Sequence, residues 1–499
     1  MTHRKADTAA AQEPTSAPQP TGGRAARAQS AAASPWRALP VILVGSFMAI
    51  LDTFIVLVAA PAVQADLHAS DGQIQLIVAG YQITYAVALI TGARLGDTYG
   101  RKRLFMLGMA LFTLTSVACA LAPTAGVLIG ARLAQGLSAA LMFPQVFSMI
   151  QVLIPAQQRH RAFGALGSVI GVSTILGQLV GGLLIAANLF GTTWRPVFWV
   201  NVPIGLITLA LAARMVPETR APQARSLDLP GLAVLTVALF LLVIPLVEGR
   251  DAGWPAWTWA SLAGSAVAFA LFVVVERRAE RAGRAPLVSL RLFAERSFAV
   301  GITLVVVAYA GVNSFFLILS LMLQDGLGMS ALGAGLEYTP LAVAFFATSL
   351  LAARWTPRHG RRVLEIGSVL AATGFLATLL MAFAEGARLS AGPLIAPLTL
   401  VGLGNGLLLP QLLNTVLGRI RPSEVGMASG VLSTGQQVGG AVGVAVIGVF
   451  FFDALTPHGS RVAQYAHAFG TAAILNLVIA AVATALLLAL PRQKPAETA

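Results

Sequence analysis

Between two apolar runs, residues 75–95 and 104–122, the chain reads Leu95-Gly96-Asp97-Thr98-Tyr99-Gly100-Arg101-Lys102-Arg103. Each flanking run is about 20 residues long, enough to cross the hydrocarbon core of a bilayer as a helix. The basic stretch between them therefore reads as a turn on one side of a membrane, joining two antiparallel spans. Inside lipid no water satisfies the backbone, so segments that bond all their peptide groups internally are the expected form.

Working outward, the same alternation runs along the whole chain. Apolar stretches at 38–63, 75–95, 104–122, 126–150, 162–186, 196–213, 230–247, 256–275, 298–322, 331–353, 363–384, 391–417, 426–452 and 466–490 predict fourteen spans. Composition agrees: of 499 residues 57% are apolar and 11% charged, where a soluble globular protein carries about 25% charged residues. That deficit excludes disorder, a coiled coil and an ordinary cytosolic enzyme. The expectation is an all-α polytopic membrane protein.

A net charge of +13 would point to nucleic acid in a soluble protein. Here the positions of the charges decide otherwise. With the N-terminus inside, 28 of the 33 basic residues fall on one side; Arg195, Arg250, Arg388 and Arg461 fall on the other, and Arg132 lies within a span. The positive-inside rule then sets both termini in the cytoplasm of a multi-pass cell-membrane protein. Trp36 and Trp355 at inner edges, with Trp194, Trp254, Trp257 and Trp259 near outer ones, form the aromatic belt such a protein needs. Residues 1–37, rich in Ala, Pro, Ser and Gln, read as a disordered cytosolic tail, with no secretory apolar region, so the first span acts as an uncleaved anchor.

The chain also repeats itself. The fifth span contains Gly177-Gln178-Leu179-Val180-Gly181-Gly182 and the thirteenth Gly435-Gln436-Gln437-Val438-Gly439-Gly440. Gly100-Arg101-Lys102-Arg103, after the second span, is matched by Gly360-Arg361-Arg362 after the tenth. The offset is eight spans, where two six-span halves give six. Two extra spans, 230–247 and 256–275, therefore lie between the halves. The organisation expected is a tail (1–37), a six-helix bundle (38–215), two additional helices with a basic loop (216–297), a second six-helix bundle (298–490) and a short cytosolic tail (491–499). Repeated halves around a central site are the mark of secondary transporters, although glycine-rich helices also arise from close packing alone.

These residues resemble the major facilitator superfamily, and within it the fourteen-span drug/proton antiporter family. The turn at Leu95–Arg103 is similar to that superfamily's loop motif, with Ala93 at the leading glycine position and Thr98 where a basic residue is usual. Leu128-Ile-Gly-Ala-Arg132-Leu-Ala-Gln135-Gly136 looks like its fourth-span motif with a buried arginine. Trp194-Arg195-Pro-Val-Phe198-Trp-Val-Asn201-Val-Pro203-Ile-Gly205 is similar to the family's sixth-span signature. Leu51-Asp52-Thr53-Phe54-Ile55-Val56-Leu57-Val58-Ala59-Ala60-Pro61 resembles the first-span motif, with Phe54 and Leu57 replacing two polar residues. The fifth-span antiporter motif has Gln178 in place of its proline. The resemblance implies two bundles of the major facilitator type and proton-coupled export of small hydrophobic or cationic compounds by alternating access. The missing proline leaves an importer or facilitator of a small metabolite as the alternative.

A charge in mid-membrane is costly unless paired or hydrated, and marks a candidate site. Asp52 lies roughly 16 Å below the outer end of its span, and Arg132 and Glu337 roughly 9 Å below theirs, at 1.5 Å per residue. Low dielectric draws a carboxyl group towards its neutral form, so Asp52 is the first candidate for a proton carrier and Glu337 the second. Arg132 either holds a carboxylate charged or forms a static ion pair. Asp97, Gly100 and Arg101 lie in a loop and read as a conformational switch, the carboxylate accepting from a helix N-terminus of the opposite half. Polar candidates for the cavity wall are Gln135, Gln145, Gln178, Asn313, Asn405, Gln411, Gln436 and Gln437, with Tyr309 and Tyr338; each could equally bond helix to helix.

The lone Cys119 excludes a disulfide framework and a multi-cysteine metal site. No HExxH, Walker or G-x-S-x-G motif occurs, so neither an enzyme, a cofactor nor a metal is expected. The expected partners are a small-molecule substrate, protons and membrane lipids, with no nucleic acid, acting on a monomer.

Overall fold

A computed structural model describes residues 35–220, 228–250, 252–284, 286–417, 420, 425–455 and 459–489. Most of the expected N-terminal tail, the C-terminal tail and the basic pair Arg419 and Arg421 lie outside the described residues. The described residues contain no strand and fourteen helices long and apolar enough to cross a membrane. These are α1 (Trp36–Leu67), α2 (Asp71–Tyr99), α3 (Arg101–Ala120), α4 (Ala125–Leu153), α5 (Arg161–Ala187), α6 (Pro196–Met215) and α7 (Leu229–Glu248). They continue with α8 (Ala256–Arg281), α9 (Arg296–Gly326), α10 (Ala331–Thr356), α11 (Arg361–Arg388), α12 (Ala391–Leu417), α13 (Met427–Asp453) and α14 (Arg461–Ala489).

Several helices outrun the apolar stretches that announce them, because their ends are capped in the flanking polar sequence. Ser70 caps α2: its hydroxyl accepts from the Gln73 N–H at 3.2 Å, and the Gln73 side chain accepts from the Ser70 N–H at 3.0 Å. Such a reciprocal box satisfies two otherwise orphaned donors. The other end of α2 stops at Gly100, whose φ of 112° is a conformation glycine adopts readily. Helix α10 breaks at Tyr338, between Ala331–Glu337 and Thr339–His359, with Pro340 just after the break.

The helix pairings reproduce the offset of eight. In the first bundle α2 packs on α4, α3 on α4, α1 on α5 and α3 on α6; in the second α10 packs on α12, α11 on α12, α9 on α13 and α11 on α14. One contact shows why glycine recurs. A Cβ at Gly136 of α4 would meet the Tyr81 carbonyl and the Thr84 hydroxyl of α2, and one at Gly406 of α12 would meet the Phe345 carbonyl and the Thr348 hydroxyl of α10. In both bundles the missing side chain lets two backbones touch.

The molecule is thus two six-helix bundles with a helical hairpin, α7–α8, between them in sequence. Helix α7 lies against α2 of one bundle and α13 of the other. The bundles meet along α2–α13, α1–α9 and α5–α10. The end of the molecule carrying Arg101, Lys102 and Arg103 is called the basic side below, and the opposite end the far side.

Candidate functional site

Asp52 and Arg132, 80 residues apart, face each other inside the first bundle. Both are sealed from solvent, at 0% and 1% exposure. The Arg132 guanidinium donates to Asp52 Oδ2, to Gln135 Oε1 at 2.6 Å and, through Nε, to the Ile77 carbonyl at 3.1 Å. The other carboxylate oxygen accepts from Gln135 Nε2 at 2.9 Å and Asn201 Nδ2 at 3.1 Å. Gln135 and Asn201 share Ser116 Oγ as a further acceptor, at 2.8 and 3.3 Å. The Tyr81 ring lies 4.3 Å from the guanidinium carbon, a distance at which an aromatic face attracts a cation. Residues of α1, α2, α3, α4 and α6 therefore converge on one carboxylate. Charges that are paired and hydrogen-bonded in this way can be buried; removing one partner leaves the other uncompensated.

The second feature is the seam between bundles, which is closed on the far side. Phe54 of α1 meets Phe316 of α9 edge to face at 5.5 Å, and Phe316 stacks on Tyr338 of α10 at 5.5 Å. Gln324 of α9 donates to the Val58 carbonyl of α1 at 2.9 Å. A Cβ at Gly182 would strike the Ala331 backbone, and one at Gly335 would lie 3.0 Å from the Gln178 carbonyl, so α5 and α10 are in backbone contact. Arg250, at the end of α7, reaches Asp71 of α2 at 3.2 Å and the Phe452 carbonyl at the end of α13 at 2.8 Å. Towards the basic side the described contacts of the α5–α10 seam thin out: Phe346 is 3.5 Å from a Cβ at Gly171, and among the described side chains nothing lies within 4 Å of one at Gly164 or Gly167. The α2–α13 seam stays in contact as far as Ile90 and Gly430.

Several buried polar groups, at the seam or beside the α10 break, have no hydrogen-bond partner among the described residues. Both amide atoms of Gln178 and of Gln82, and Oε1 of Glu337, are buried without a hydrogen bond. Gln82 of α2 and Asn313 of α9 converge on Gly440 of α13, where any side chain would strike both. Leaving such groups unmet costs about 1–3 kcal/mol each, so they mark places for water or a bound polar molecule.

On the basic side Asp97 accepts from Arg101 Nε at 3.1 Å and Nη2 at 2.6 Å within the turn itself. The carboxylate sitting on a helix N-terminus is that of Glu218, which accepts from the Lys102 and Arg103 N–H groups of α3 at 3.1 and 3.2 Å. Residues 421–424, which precede α13 in the opposite half, lie outside the described set.

The other sequence candidates divide by location. Tyr309 and Gln436 bond each other across α9 and α13 at 3.1 Å. The Tyr338 hydroxyl donates to the Phe316 carbonyl at 2.8 Å. Gln145 donates to the Gly92 and Leu141 carbonyls at 2.8 and 3.1 Å inside the first bundle. Asn405 lines a small apolar cavity inside the second bundle with Gly311, Ser368 and Phe375. Gln411 is buried and Gln437 half-buried. Sequence reasoning gave no role to Asn201, Ser116, Gln82 or Glu218. Asn201 stands in the sixth-span signature, which was a usable signal; the other three stand in ordinary surroundings.

Residues 42–444 and 301–499 match the family profile of the Major Facilitator Superfamily. A probable actinorhodin transporter of Streptomyces coelicolor is 41% identical over 421 residues, covering 84% of this chain and 73% of that protein. The cephamycin export protein of Amycolatopsis lactamdurans is 34% identical over 465 residues, covering 92% and 93%. Among solved structures, a proton-dependent oligopeptide transporter superposes with a TM-score of 0.65 over 92% of this chain and 99% of its own, at 16% identity, a likeness of fold.

Proposed function

The chain belongs to the Major Facilitator Superfamily, and from that premise we propose that it is a secondary transporter exporting small hydrophobic or cationic compounds, antibiotics and other secondary metabolites among them, in exchange for protons. The observation that carries this reading is the one-sided meeting of two repeated bundles, sealed at Phe54–Phe316 and Gly182–Ala331, with described contacts thinning out at Gly164 and Gly167. With the basic side in the cytoplasm, this is the state that collects cargo from within. Relatives over 84% and 92% of the chain carry the names of an actinorhodin transporter and a cephamycin exporter, which supports the substrate class. The cargo crosses chemically unchanged, and one chain suffices.

In this mechanism the units 38–215 and 298–490 rock as bodies, and the segment 216–297 rides between them. Glu337, with a buried oxygen unmet beside the α10 break, exchanges the proton or meets a cationic cargo. Asp52 and Arg132 form the charge pair of the first bundle, and Asp52 takes a proton only when water reaches the network and Arg132 falls back on Gln135 and the Ile77 carbonyl. Gln178, Asn313, Tyr309, Tyr338 and Gln436 at the seam touch cargo, whereas Gln135, Gln145 and Asn405 hold helices together. The Asp97–Arg101 pair and the bend at Gly100 set the basic-side turn, which must rearrange when the bundles close there.

Everted vesicles carrying a pH-sensitive dye test the reading. Adding an exported compound should dissipate an acid-inside gradient, and Glu337→Gln should abolish that response. Accumulation indifferent to the gradient would refute proton coupling, and net movement in the opposite sense would favour the importer.

A further inference from the structure

Six arginines, Arg277, Arg278, Arg281, Arg284, Arg291 and Arg296, crowd the end of α8, the connection that follows and the start of α9. All six are exposed, and none makes a side-chain hydrogen bond or ion pair with a described residue. Of the carboxylates nearby, three are engaged, and a fourth, Glu295 beside Arg296, is exposed. Asp228 accepts from the Leu287 N–H at 3.0 Å, Glu276 from the Val288 N–H at 2.9 Å, and Glu280 from the Leu290 N–H at 3.0 Å and the Ser289 hydroxyl at 2.8 Å. These bonds pin residues 286–290 against the helix ends, with Leu287, Val288 and Leu292 buried. Those three acidic groups are turned inward onto backbone, and six guanidinium groups are turned outward with the exposed Glu295 as their nearby counter-charge, a large local excess of positive charge.

The arginines also continue an apolar stripe. Val267, Leu271 and Val274 are 69%, 49% and 42% exposed, and their spacing of four and three residues puts them on one helical face. Arg278 and Arg281 extend that face by the next four and three residues. At 1.5 Å per residue they lie about 6 and 10 Å beyond Val274, the step from acyl chain to headgroup. Phe293, 39% exposed in the helical turn after the pinned segment, adds an apolar edge.

We propose that Arg278, Arg281, Arg284 and Arg291 bind the headgroup of an anionic phospholipid, with one acyl chain laid along Val267, Leu271 and Val274. Guanidinium groups hold phosphate oxygens by paired charge-assisted hydrogen bonds. A free anion would use the arginines but not the stripe, which is why the ligand is a lipid. The site also touches the first bundle, because Arg94 of α2, three residues before Asp97, donates to the Pro286 carbonyl of the pinned segment. This binding stands independently of the transport reading.

Native mass spectrometry of the full chain, purified in detergent and supplied with equimolar phosphatidylglycerol and phosphatidylcholine, tests the proposal. The wild type should retain phosphatidylglycerol in preference. R278Q/R281Q/R284Q should lose that preference by on the order of a hundredfold, about fivefold per arginine, while R354Q/R358Q/R362Q, at another basic end, should keep it. If the triple variant does not elute as a single species, R281Q alone should lose about fivefold. Leu271→Asn, which alters only the acyl stripe, should lower retention severalfold. Unchanged retention in the α8 variants, an equal loss in the control triple, equal retention of the two lipids, or indifference to Leu271→Asn would each overturn the proposal.

Discussion

Replacing Asp52 by Asn keeps the shape of the side chain and removes the charge that Arg132 faces. The guanidinium is 1% exposed, so water cannot take the place of the carboxylate. Removing one member of a buried ion pair costs about 3–5 kcal/mol. Here Arg132 keeps Gln135 Oε1 at 2.6 Å, the Ile77 carbonyl at 3.1 Å and the Tyr81 ring, which places the expected loss near the lower bound, about 3 kcal/mol. Arg132→Met alone leaves Asp52 with two amide donors in place of its counter-ion, a comparable loss. The double variant buries no unpaired charge and should recover most of either single loss, which requires a coupling energy above about 3 kcal/mol, beyond the usual range for residues in contact. For a unit the size of the first bundle, about 3 kcal/mol corresponds to a fall of roughly 6–12 °C in Tm. Thermal unfolding of the four proteins in detergent, followed by loss of the monodisperse fraction, gives the cycle. A double variant no more stable than the weaker single one would refute the claim that burial of an unpaired charge dominates.

Three further outcomes follow from the geometry. Gly136→Ala and Gly406→Ala each push a methyl group into a facing backbone carbonyl, and should destabilise by about 1–3 kcal/mol, whereas Gly130→Ala, with nothing within 4 Å, should be neutral or mildly stabilising; thermal unfolding of the three distinguishes them. Arg250→Ala removes the far-side bridge from Asp71 to the Phe452 carbonyl, so in a Cys119→Ser background an Ala331→Cys probe should react severalfold faster with a membrane-impermeant thiol reagent; an unchanged rate would mean that the bridge does not hold that side shut. Glu218→Ala strips the carboxylate from the α3 N-terminus and should cost about 0.5–1 kcal/mol, seen as a small fall in Tm that high salt diminishes.

The spans were legible because a membrane demands a length, and the arginines could then be sorted by side. The repeat was legible because Gly177–Gly182 and Gly435–Gly440 carry one small-residue pattern. Partnerships were less so. Counting 1.5 Å steps from predicted ends set Asp52 and Arg132 roughly 7 Å apart in depth, yet they bond, because helix ends do not lie in one plane and α1 runs on to Leu67. Gln82 carried no signal, since its importance comes from Asn313 and Gly440, on helices more than 200 residues away. The N-terminus of α3 is served by Glu218, a residue in an unremarkable loop, whereas the opposite-half N-terminus expected for Asp97 is preceded by residues outside the described set.

The α7–α8 hairpin makes the two lateral doorways unequal. A solute dissolved among the acyl chains finds the α2–α13 edge shuttered by α7 and closed over much of its height. Among the described residues the α5–α10 edge has no such shutter, and its contacts thin out towards the basic side. Cargo arriving sideways out of the leaflet has one threshold to cross, and bulky groups on the lipid-facing flank of α5 would narrow it without touching any residue that binds.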